Sequence, residues 1–186
     1  LEKLLASNRS RSIAVLFLDL DNFKAVNDNL GHQAGDSLLV AVARRLSANL
    51  RPTDFAARFG GDEFTVVVTK VKSIDYVVSI AKRIIESISQ PFDIAGERIY
   101  TSTSIGIALC SSSEDSASSL LRKADIALYK SKSLGRGTYV IFDQSMEQEA
   151  SEILELERNL RTAIQNDQFI VHYQPIVDAA TGKVEM

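Results

Sequence analysis

Apolar residues alternate between strand-like runs and helix-like stripes along the first 143 residues. Ile13–Leu18 is an unbroken apolar run, typical of a central strand covered on both faces. Apolar positions recur every three or four residues over 35–50, 74–89 and 120–133, which predicts amphipathic helices. Shorter strand-like runs occupy 55–59, 64–69, 92–94, 100–109 and 139–142. This order predicts an α/β (α+β) fold in which helices flank a central, mostly antiparallel sheet.

The pattern changes near Gln144. Residues 144–166 carry one amphipathic stripe and predict a long helix, and Phe169–Tyr173 predicts the start of a strand. Because the rest of the chain is too short to close a second hydrophobic core, we place a domain boundary near Gln144. At the other end, residues 1–12 predict the end of a helix followed by a polar turn, and 111–119 predict a serine-rich acidic loop.

The composition narrows the class of protein. Of the 186 residues, 45% are hydrophobic and 24% are charged, which is the balance of an ordinary globular chain. A net charge of −3 argues against a protein that coats nucleic acid, so we expect no nucleic-acid partner. The single cysteine, Cys110, cannot form an internal disulfide and favours a reducing compartment. Since the chain begins at Leu1 without a methionine, we interpret it as part of a longer protein, whose membrane anchoring stays open.

Two groups of acidic residues come from neighbouring strands. Asp19 and Asp21 end the first strand, where an i, i+2 spacing puts both carboxylates on one side. Gly60–Glu63 is a Gly-Gly-Asp-Glu turn, and a hairpin beside the central strand would bring Asp62 or Glu63 close to Asp19. Clustered carboxylates repel one another, so a shared divalent cation such as Mg²⁺, holding a substrate polyphosphate, is the natural compensation. The glycines would allow positive φ angles and a close approach of phosphates. The alternative is a solvated turn whose acids keep the hairpin soluble.

Further short motifs accompany this turn in a fixed order. They are Asp19-Leu-Asp-Asn-Phe-Lys24, Asn27-Asp28, Gly31-His32, Gly35-Asp36, Arg58-Phe-Gly-Gly-Asp-Glu-Phe64, Ser104-Ile-Gly106, Ala124-Asp125, Ala127-Leu-Tyr129, Lys132 and Gly135-Arg136. Together they closely resemble the GGDEF domain of diguanylate cyclases. Leu160-Arg161 and Tyr173-Gln-Pro175 resemble the opening of an EAL phosphodiesterase domain. The resemblance implies a GGDEF domain over 1–143, a linker helix over 144–166 and a truncated start of an EAL domain over 167–186.

The resemblance also implies a core and a reaction. The core is similar to the palm of nucleotidyl cyclases and polymerases, which is a ferredoxin-type core. The reaction condenses two GTP molecules into cyclic di-GMP and releases two pyrophosphates, at a site shared across a homodimer. Such sites use Mg²⁺, with Mn²⁺ as an alternative, and the EAL domain would be a partner in cis. We therefore expect a cytoplasmic domain of a bacterial signalling protein.

The family's site residues carry over onto matching positions of this chain. By resemblance, the metal ligands are the carboxylates of Asp19 and Asp62 and the Leu20 carbonyl. The groups that would hold the substrate's phosphates are the amides of Asn22 and Phe23, Gly60, Gly61, Lys24, Lys132 and Arg136. Asn27 and Asp36 would read guanine, because a carboxylate that accepts from N1–H and N2–H rejects adenine. The catalytic group would comprise Asp62, Lys24, Glu63 at the 3′-hydroxyl and Arg58 at the transferring phosphate.

Most of these residues also have purely structural interpretations. Lys24 and Lys132 can be solvated lysines, Asn27-Asp28 a turn pair, Asp36 a helix N-cap and Asp21 a residue that orients its neighbours. Gly137 stands where the family more often has asparagine, which predicts a looser turn after Arg136.

Arg51 and Asp54 match the RxxD site of the family, where the product cyclic di-GMP binds and inhibits. A guanidinium can stack on guanine or bind phosphate, and a carboxylate can accept from the guanine edge. The alternative is a surface salt bridge at a helix end. Lys82 or Arg83 is the candidate for a further basic residue of this site.

Three functions are compatible with the sequence. The intact Gly60–Phe64 motif favours an active diguanylate cyclase. The first alternative is a GTP-binding module that regulates an adjacent EAL phosphodiesterase without turnover. The second is a receptor that binds cyclic di-GMP through Arg51 and Asp54.

Overall fold

A computed structural model describes residues 1–2, 5, 13–94, 96–110, 115–182 and 184–185. The chain divides into two compact units, Leu1–Gln148 and Glu149–Met186. The strands of the first unit are β1 (Ala14–Asp21), β2 (Phe55–Gly60), β3 (Glu63–Val68), β4 (Phe92–Ile94), β5 (Glu97–Ile99), β6 (Ser102–Leu109) and β7 (Tyr139–Ile141). Its helices are α1 (Phe23–Leu30), α2 (His32–Ala48), α3 (Ile74–Ile88) and α4 (Ala117–Ser133). Most of the helix end and polar turn predicted over 1–12 lies outside the described residues, although Glu2 and Leu5 are helical, and 111–114 of the acidic loop also lie outside them.

Five strands form the main sheet in the order β2-β3-β1-β6-β7, with β1 at its centre. β1 pairs antiparallel with both β3 and β6, and β2 pairs antiparallel with β3, whereas β7 runs parallel to β6. The strands β4 and β5 form a separate hairpin. This architecture confirms the predicted α/β class with a central, mostly antiparallel sheet flanked by helices.

Both faces of β1 are buried, as its unbroken apolar run predicts. On one face the alternate residues Ala14, Leu16, Leu18 and Leu20 join the larger hydrophobic cluster, to which α2 and α3 contribute. On the other face Val15 and Phe17 pack against Leu120, Ala124 and Leu128 of α4. The next residues on this second face are Asp19 and Asp21, so the α4 side of the sheet ends in carboxylates.

Strand β6 and helix α4 are in close backbone contact at Gly106. A Cβ atom at this position would lie 1.9 Å from the Ala124 carbonyl oxygen and 2.3 Å from the Leu128 nitrogen. Because both are backbone atoms, rotation of a side chain cannot make room. Glycine here allows α4 to lie directly on the sheet, and α4 carries Lys132 toward the end of β1.

Helix α1 is a feature that the sequence pattern does not predict. Phe23–Leu30 is helical, and α2 starts at His32 rather than at Gly35, with Gly31 between them at a φ of 82°. The eight residues of α1 make only about two turns, which is shorter than a helix that is stable by itself, and the packing of α1 against α2 stabilises both. Asp36 therefore lies inside α2, and its interpretation as a helix N-cap is wrong. Similarly, α4 begins at Ala117, where the Ser116 hydroxyl accepts a hydrogen bond from the Ser119 amide at 3.0 Å.

Helix α5 (Ser145–Gln165) spans the division between the two units and agrees with the predicted long helix to within a residue at each end. The strand predicted at Phe169–Tyr173 is wrong, because these residues have no paired partner strand within the described chain. Instead β8 (Ile176–Val177) and β9 (Val184–Glu185) form a short hairpin. In an isolated strand the backbone N–H and C=O groups have no hydrogen-bond partners on a neighbouring strand, so apolar composition alone does not stabilise it. Among the described residues, no helix has both the length and the apolarity that a membrane crossing requires.

Candidate active site

The end of β1 and the turn between β2 and β3 lie side by side, as the sequence predicts. In the strand register Asp19 is opposite Glu63 on β3 and opposite Ser104 on β6. The Leu20 amide donates a hydrogen bond to the Asp62 carbonyl at 3.3 Å. The central strand and the neighbouring hairpin therefore bring three carboxylates to one end of the sheet, those of Asp19, Asp62 and Glu63.

A lysine of α4 is bound to this carboxylate group. The Lys132 Nζ atom lies 2.7 Å from Asp19 Oδ2, and the Asp19 side chain is only 13% exposed. Burial raises the pKa of Asp19, the ammonium of Lys132 lowers it, and the charges of Asp62 and Asp21 raise it further. The pKa of Glu63 is also raised, first by burial and then by the charges of Asp19, Asp125 and Asp62. The cluster thus holds more negative charge than Lys132 alone can neutralise.

The oxygen atoms at this end of the sheet are suitable ligands for a hard divalent cation. Carboxylate oxygens of Asp19 and Asp62 and the carbonyl oxygen of Leu20 are ligand types that Mg²⁺ prefers. Burial raises the pKa of Asp19, and the neighbouring charges of Asp62 and Asp21 add to this effect. Within the described ranges, no three His, Cys, Asp or Glu side chains are already grouped around a single point. Lys132 instead contacts the Asp19 carboxylate.

Asp21 has a structural role that differs from that of Asp19. Its side chain is 4% exposed and accepts hydrogen bonds from the Ser102 hydroxyl at 2.6 Å, the Ser104 hydroxyl at 2.8 Å and the Gly137 amide at 3.1 Å. These donors tie β1 to β6 and to the loop that follows α4. This supports the interpretation that Asp21 orients its neighbours. The sequence pattern gave no indication of these donors, because no short-range periodicity links residues so far apart.

The loop after α4 holds Arg136 in a left-handed conformation. Gly135, Arg136 and Gly137 have φ angles of 112°, 64° and 59°. Gly137 has room around it, since a Cβ atom would lie 3.8 Å from Ser102. Asparagine tolerates the left-handed region better than most residues, so either residue suits this position. The expected loosening at Gly137 is opposed by its hydrogen bond to Asp21.

The start of α1 lies directly after β1 and faces the same end of the sheet. Asn22 adopts a left-handed conformation with a φ of 60°, which turns the chain from the strand into the helix. The first amides of a helix have no partners within it and favour bound anions, and Lys24 is exposed in this first turn. The first turn of α1 therefore brings backbone amides and one lysine to this end of the sheet.

A groove of about 450 Å³ separates α2 from β2 and contains Asp36. Its wall also includes Leu39 and Val40 of α2 and Arg58 and Phe64 of the hairpin. Asn27 lies on α1 with its side chain against Gly35, the residue before Asp36. The two candidate guanine-binding residues are therefore held by two helices that pack against each other.

The Gly-Gly-Asp-Glu turn differs in one detail from its prediction. Gly61 has a positive φ of 50°, but Gly60 does not. A Cβ atom at Gly60 would meet no atom within 4 Å, so its surroundings are open. Arg58 Nε donates a hydrogen bond to the Gly61 carbonyl at 2.8 Å, and the strand register shifts between Arg58 and Gly60. Arg58 thus braces the turn that carries Asp62.

Arg51 and Asp54 do not form the surface salt bridge that was the alternative interpretation. The Arg51 guanidinium lies 4.3 Å from the centre of the Tyr76 ring on α3. The Asp54 carboxylate accepts from the Thr69 amide at 3.0 Å and from the Arg51 amide at 3.3 Å. Arg83 Nε donates a hydrogen bond to the Asn49 side chain at 3.2 Å. Asn49 follows the end of α2 and is two residues before Arg51, so Arg83 lies near the Arg51–Asp54 segment.

Glu63→Gln is expected to stabilise the metal-free protein at neutral pH. Because the folded-state pKa of Glu63 is raised, the fold binds this proton more tightly than the unfolded chain does, and stability falls as pH rises through that pKa. Glutamine removes the penalty, so the free energy of unfolding should rise by up to about 1 kcal/mol at neutral pH. The difference should disappear near pH 4, where glutamate is protonated as well.

Urea unfolding in a chelating buffer at both pH values measures this difference. Glu86→Gln, at an exposed position of α3, is the matched control and should change little at either pH. A loss of stability in Glu63→Gln at neutral pH would contradict the expected repulsion.

Comparisons with known proteins identify the family of the chain. The family model described as "Diguanylate cyclase, GGDEF domain" matches residues 1–138. The chain is 44% identical over 172 residues to the bifunctional diguanylate cyclase/cyclic di-GMP phosphodiesterase MucR of Pseudomonas aeruginosa, a match that covers 92% of this chain and 25% of MucR. The chain spans about a quarter of the length of the curated relatives that it matches.

Solved structures show the same fold. The GGDEF domain of TpbB (YfiN) from Pseudomonas aeruginosa superposes with a TM-score of 0.76 at 38% identity, over 81% of this chain and 89% of that one. The GGDEF domain of DgcB from Caulobacter crescentus, solved in complex with cyclic di-GMP, has a TM-score of 0.70 at 30% identity, over 76% of this chain and 85% of that one.

Proposed function

Since the chain belongs to the GGDEF family of diguanylate cyclase domains, we propose that it condenses two GTP molecules into cyclic di-GMP. The 3′-hydroxyl oxygen of each GTP forms a bond to the α-phosphorus of the other, the hydroxyl proton is lost, and the α–β bridging oxygen leaves with pyrophosphate. The observation that carries this proposal is the intact Gly60–Glu63 turn beside Asp19, whose burial raises its pKa and whose carboxylate holds Lys132.

Asp19, Asp62 and the Leu20 carbonyl are the groups that would hold Mg²⁺ or Mn²⁺. Such a cation, when bound, withdraws charge from the transferring phosphate and from the attacking hydroxyl. Glu63 lies across from Asp19 on β3, and its raised pKa suits it to accept the proton of the 3′-hydroxyl. Arg58 holds the turn through its hydrogen bond to Gly61, and from this hairpin its guanidinium would neutralise charge on the transferring phosphate.

The phosphates are proposed to bind between α1 and the loop after α4. The amides of Asn22 and Phe23 and the side chain of Lys24 approach from the helix start, and Gly60 leaves open space at the turn. From the other side Arg136 offers a planar fork, and Lys132 exchanges the Asp19 carboxylate for a phosphate oxygen.

Guanine selection is proposed to rest on Asn27 and Asp36. Asp36 is exposed on α2, and Asn27 lies on α1, which packs against α2. An acceptor pair toward N1–H and N2–H is satisfied by guanine, whereas adenine leaves the carboxylate without a donor.

We place this domain in the cytoplasmic part of a longer bacterial protein, with 1–143 as the cyclase domain, 144–166 as the linker helix and 167–186 as the beginning of an EAL domain. The name of MucR, which includes both activities, supports the tandem arrangement. One such domain holds one GTP, so turnover needs a homodimer with facing sites.

Mass spectrometry of cyclic di-GMP after incubation with GTP and Mg²⁺ tests the activity. We would use the chain fused to a dimeric coiled coil, which supplies the second site, and Asp62→Ala as the matched control. Product that disappears in Asp62→Ala is the expected result. If several coiled-coil registers give no product while GTP binds and stays intact, the domain is instead a GTP-binding regulatory module for the EAL domain.

Arg51→Ala is expected to weaken cyclic di-GMP binding by about 10- to 100-fold, because a charged hydrogen-bond donor to the ligand is lost. The position of the Arg51 guanidinium over the Tyr76 ring supports a product-inhibition site, since this contact holds the charged group at the surface. Titration calorimetry with cyclic di-GMP measures the affinity, and Arg44→Ala on the exposed face of α2 is the control.

Asp54→Ala is a poorer test of this site than Arg51→Ala. The Asp54 carboxylate accepts two backbone hydrogen bonds, so its removal should lower the free energy of unfolding by about 1 kcal/mol. Unchanged cyclic di-GMP affinity in Arg51→Ala would remove the RxxD site from the proposed function.

A further inference from the structure

Gly35 lies at a close contact between α1 and α2. It is buried in the second turn of α2, and a Cβ atom there would lie 1.9 Å from Asn27 Oδ1 and 3.0 Å from Asn27 Cγ. The ring of Phe23 would be 3.2 Å away. The Asn27 amide thus lies in the space that any other residue at position 35 would fill.

The backbone does not require glycine at this position. Gly35 lies within helix α2 and has no positive φ, unlike Gly31 at the junction of the two helices. Glycine is unfavourable inside a helix and alanine is the most favourable residue there. The advantage of glycine at position 35 must therefore come from the space that it leaves for the neighbouring amide.

We propose that Gly35 is a positioning residue for base recognition, because its missing side chain lets the Asn27 amide lie against the backbone of α2 at the residue before Asp36. This inference rests on the proposed function, in which Asn27 and Asp36 bind guanine. The amide is the end of a flexible side chain, so alanine at position 35 rotates Asn27 away without displacing the helices. The Phe23 ring accommodates the remaining contact by a few tenths of an ångström. Gly35 therefore acts on nucleotide selection and not on stability.

Binding of non-hydrolysable GTP and ATP analogues to Gly35→Ala, Asn27→Ala and the double variant tests this role. Gly35→Ala should lower the affinity for the GTP analogue by about tenfold, which is the effect of one lost hydrogen bond. Its affinity for the ATP analogue should not change. The double variant should bind the GTP analogue no more weakly than Asn27→Ala, because both changes remove the same contact. The Tm of Gly35→Ala should equal or exceed that of the wild type, as should that of the control Ser37→Ala on the same helix.

The outcomes separate this inference from the proposed function. If Asn27→Ala binds the GTP analogue like the wild type, the guanine role of Asn27 fails, and the role of Gly35 fails with it. If Asn27→Ala loses selectivity but Gly35→Ala does not, only the role of Gly35 is overturned. Two further results would assign Gly35 to helix packing and overturn the inference. One is a lower Tm of Gly35→Ala together with equal losses of affinity for both analogues, and the other is additive losses of affinity in the double variant.

Discussion

Asp19→Asn is expected to lower the rate of cyclic di-GMP formation by about 1,000-fold in the dimeric fusion. Asparagine keeps the shape of the side chain but removes the charge that is proposed to hold the metal, and a bound cation contributes several kcal/mol to such a transition state. Because the pKa of Asp19 is raised, its ionised form is disfavoured in the fold, and stability at neutral pH should be retained or increased.

Initial rates of product formation and urea unfolding of the same samples measure both parts of this expectation. Asp28→Asn, the same substitution at an exposed position of α1, is the matched control and should keep wild-type activity. A variant Asp19→Asn that retains a tenth of the wild-type rate would show that Asp19 is not a metal ligand.

Gly106→Ala is expected to have the largest effect on stability. The added methyl group would overlap the Ala124 carbonyl and the Leu128 amide, and both belong to the backbone of α4. The helix must therefore move off the sheet, which exposes the apolar contacts of Leu120, Ala124 and Leu128 with β1. We expect a loss of about 3 kcal/mol or more, at the upper end of what overpacking costs.

Urea unfolding followed by circular dichroism measures this loss. Gly60→Ala provides the matched control, because a Cβ atom there has no neighbour within 4 Å and the φ angle is not positive. Its free energy of unfolding should change by no more than about 0.5 kcal/mol. A stable, cooperative Gly106→Ala protein would show that α4 can shift outward at little cost.

The sequence predicts the long, regular elements of the fold better than the short ones. The buried strand β1, the hairpin and the long helices produce strong periodic or motif signals, and their positions were predicted closely. Helix α1 makes only about two turns and depends on its packing against α2, and the strand expected at Phe169–Tyr173 has a suitable composition but pairs with no strand among the described residues. Periodicity reports which face is buried, but it does not report which backbone approaches which.

The candidate site shows the same division. The motifs indicate that Asp19, Asp62 and Lys132 belong together, and the structure brings Asp19 and Lys132 into contact. The position of the Arg51 guanidinium on Tyr76 depends on the packing of α3 against the end of α2, which no spacing in the sequence encodes. The stacking partner and the space at Gly35 were for this reason found only in the structure.

The hydrogen bonds of Asp21 have a consequence for the order of folding. Asp21 and Gly137 are 116 residues apart, and Asp21 and Ser104 are 83 residues apart, so these contacts close very long loops of chain. Contacts of such high sequence separation tend to form late, after local helices and hairpins. Arg136 and the end of β1 meet only when these loops have closed. A nascent chain would therefore present its separate motifs early, but it would acquire a nucleotide site only on completion of the domain.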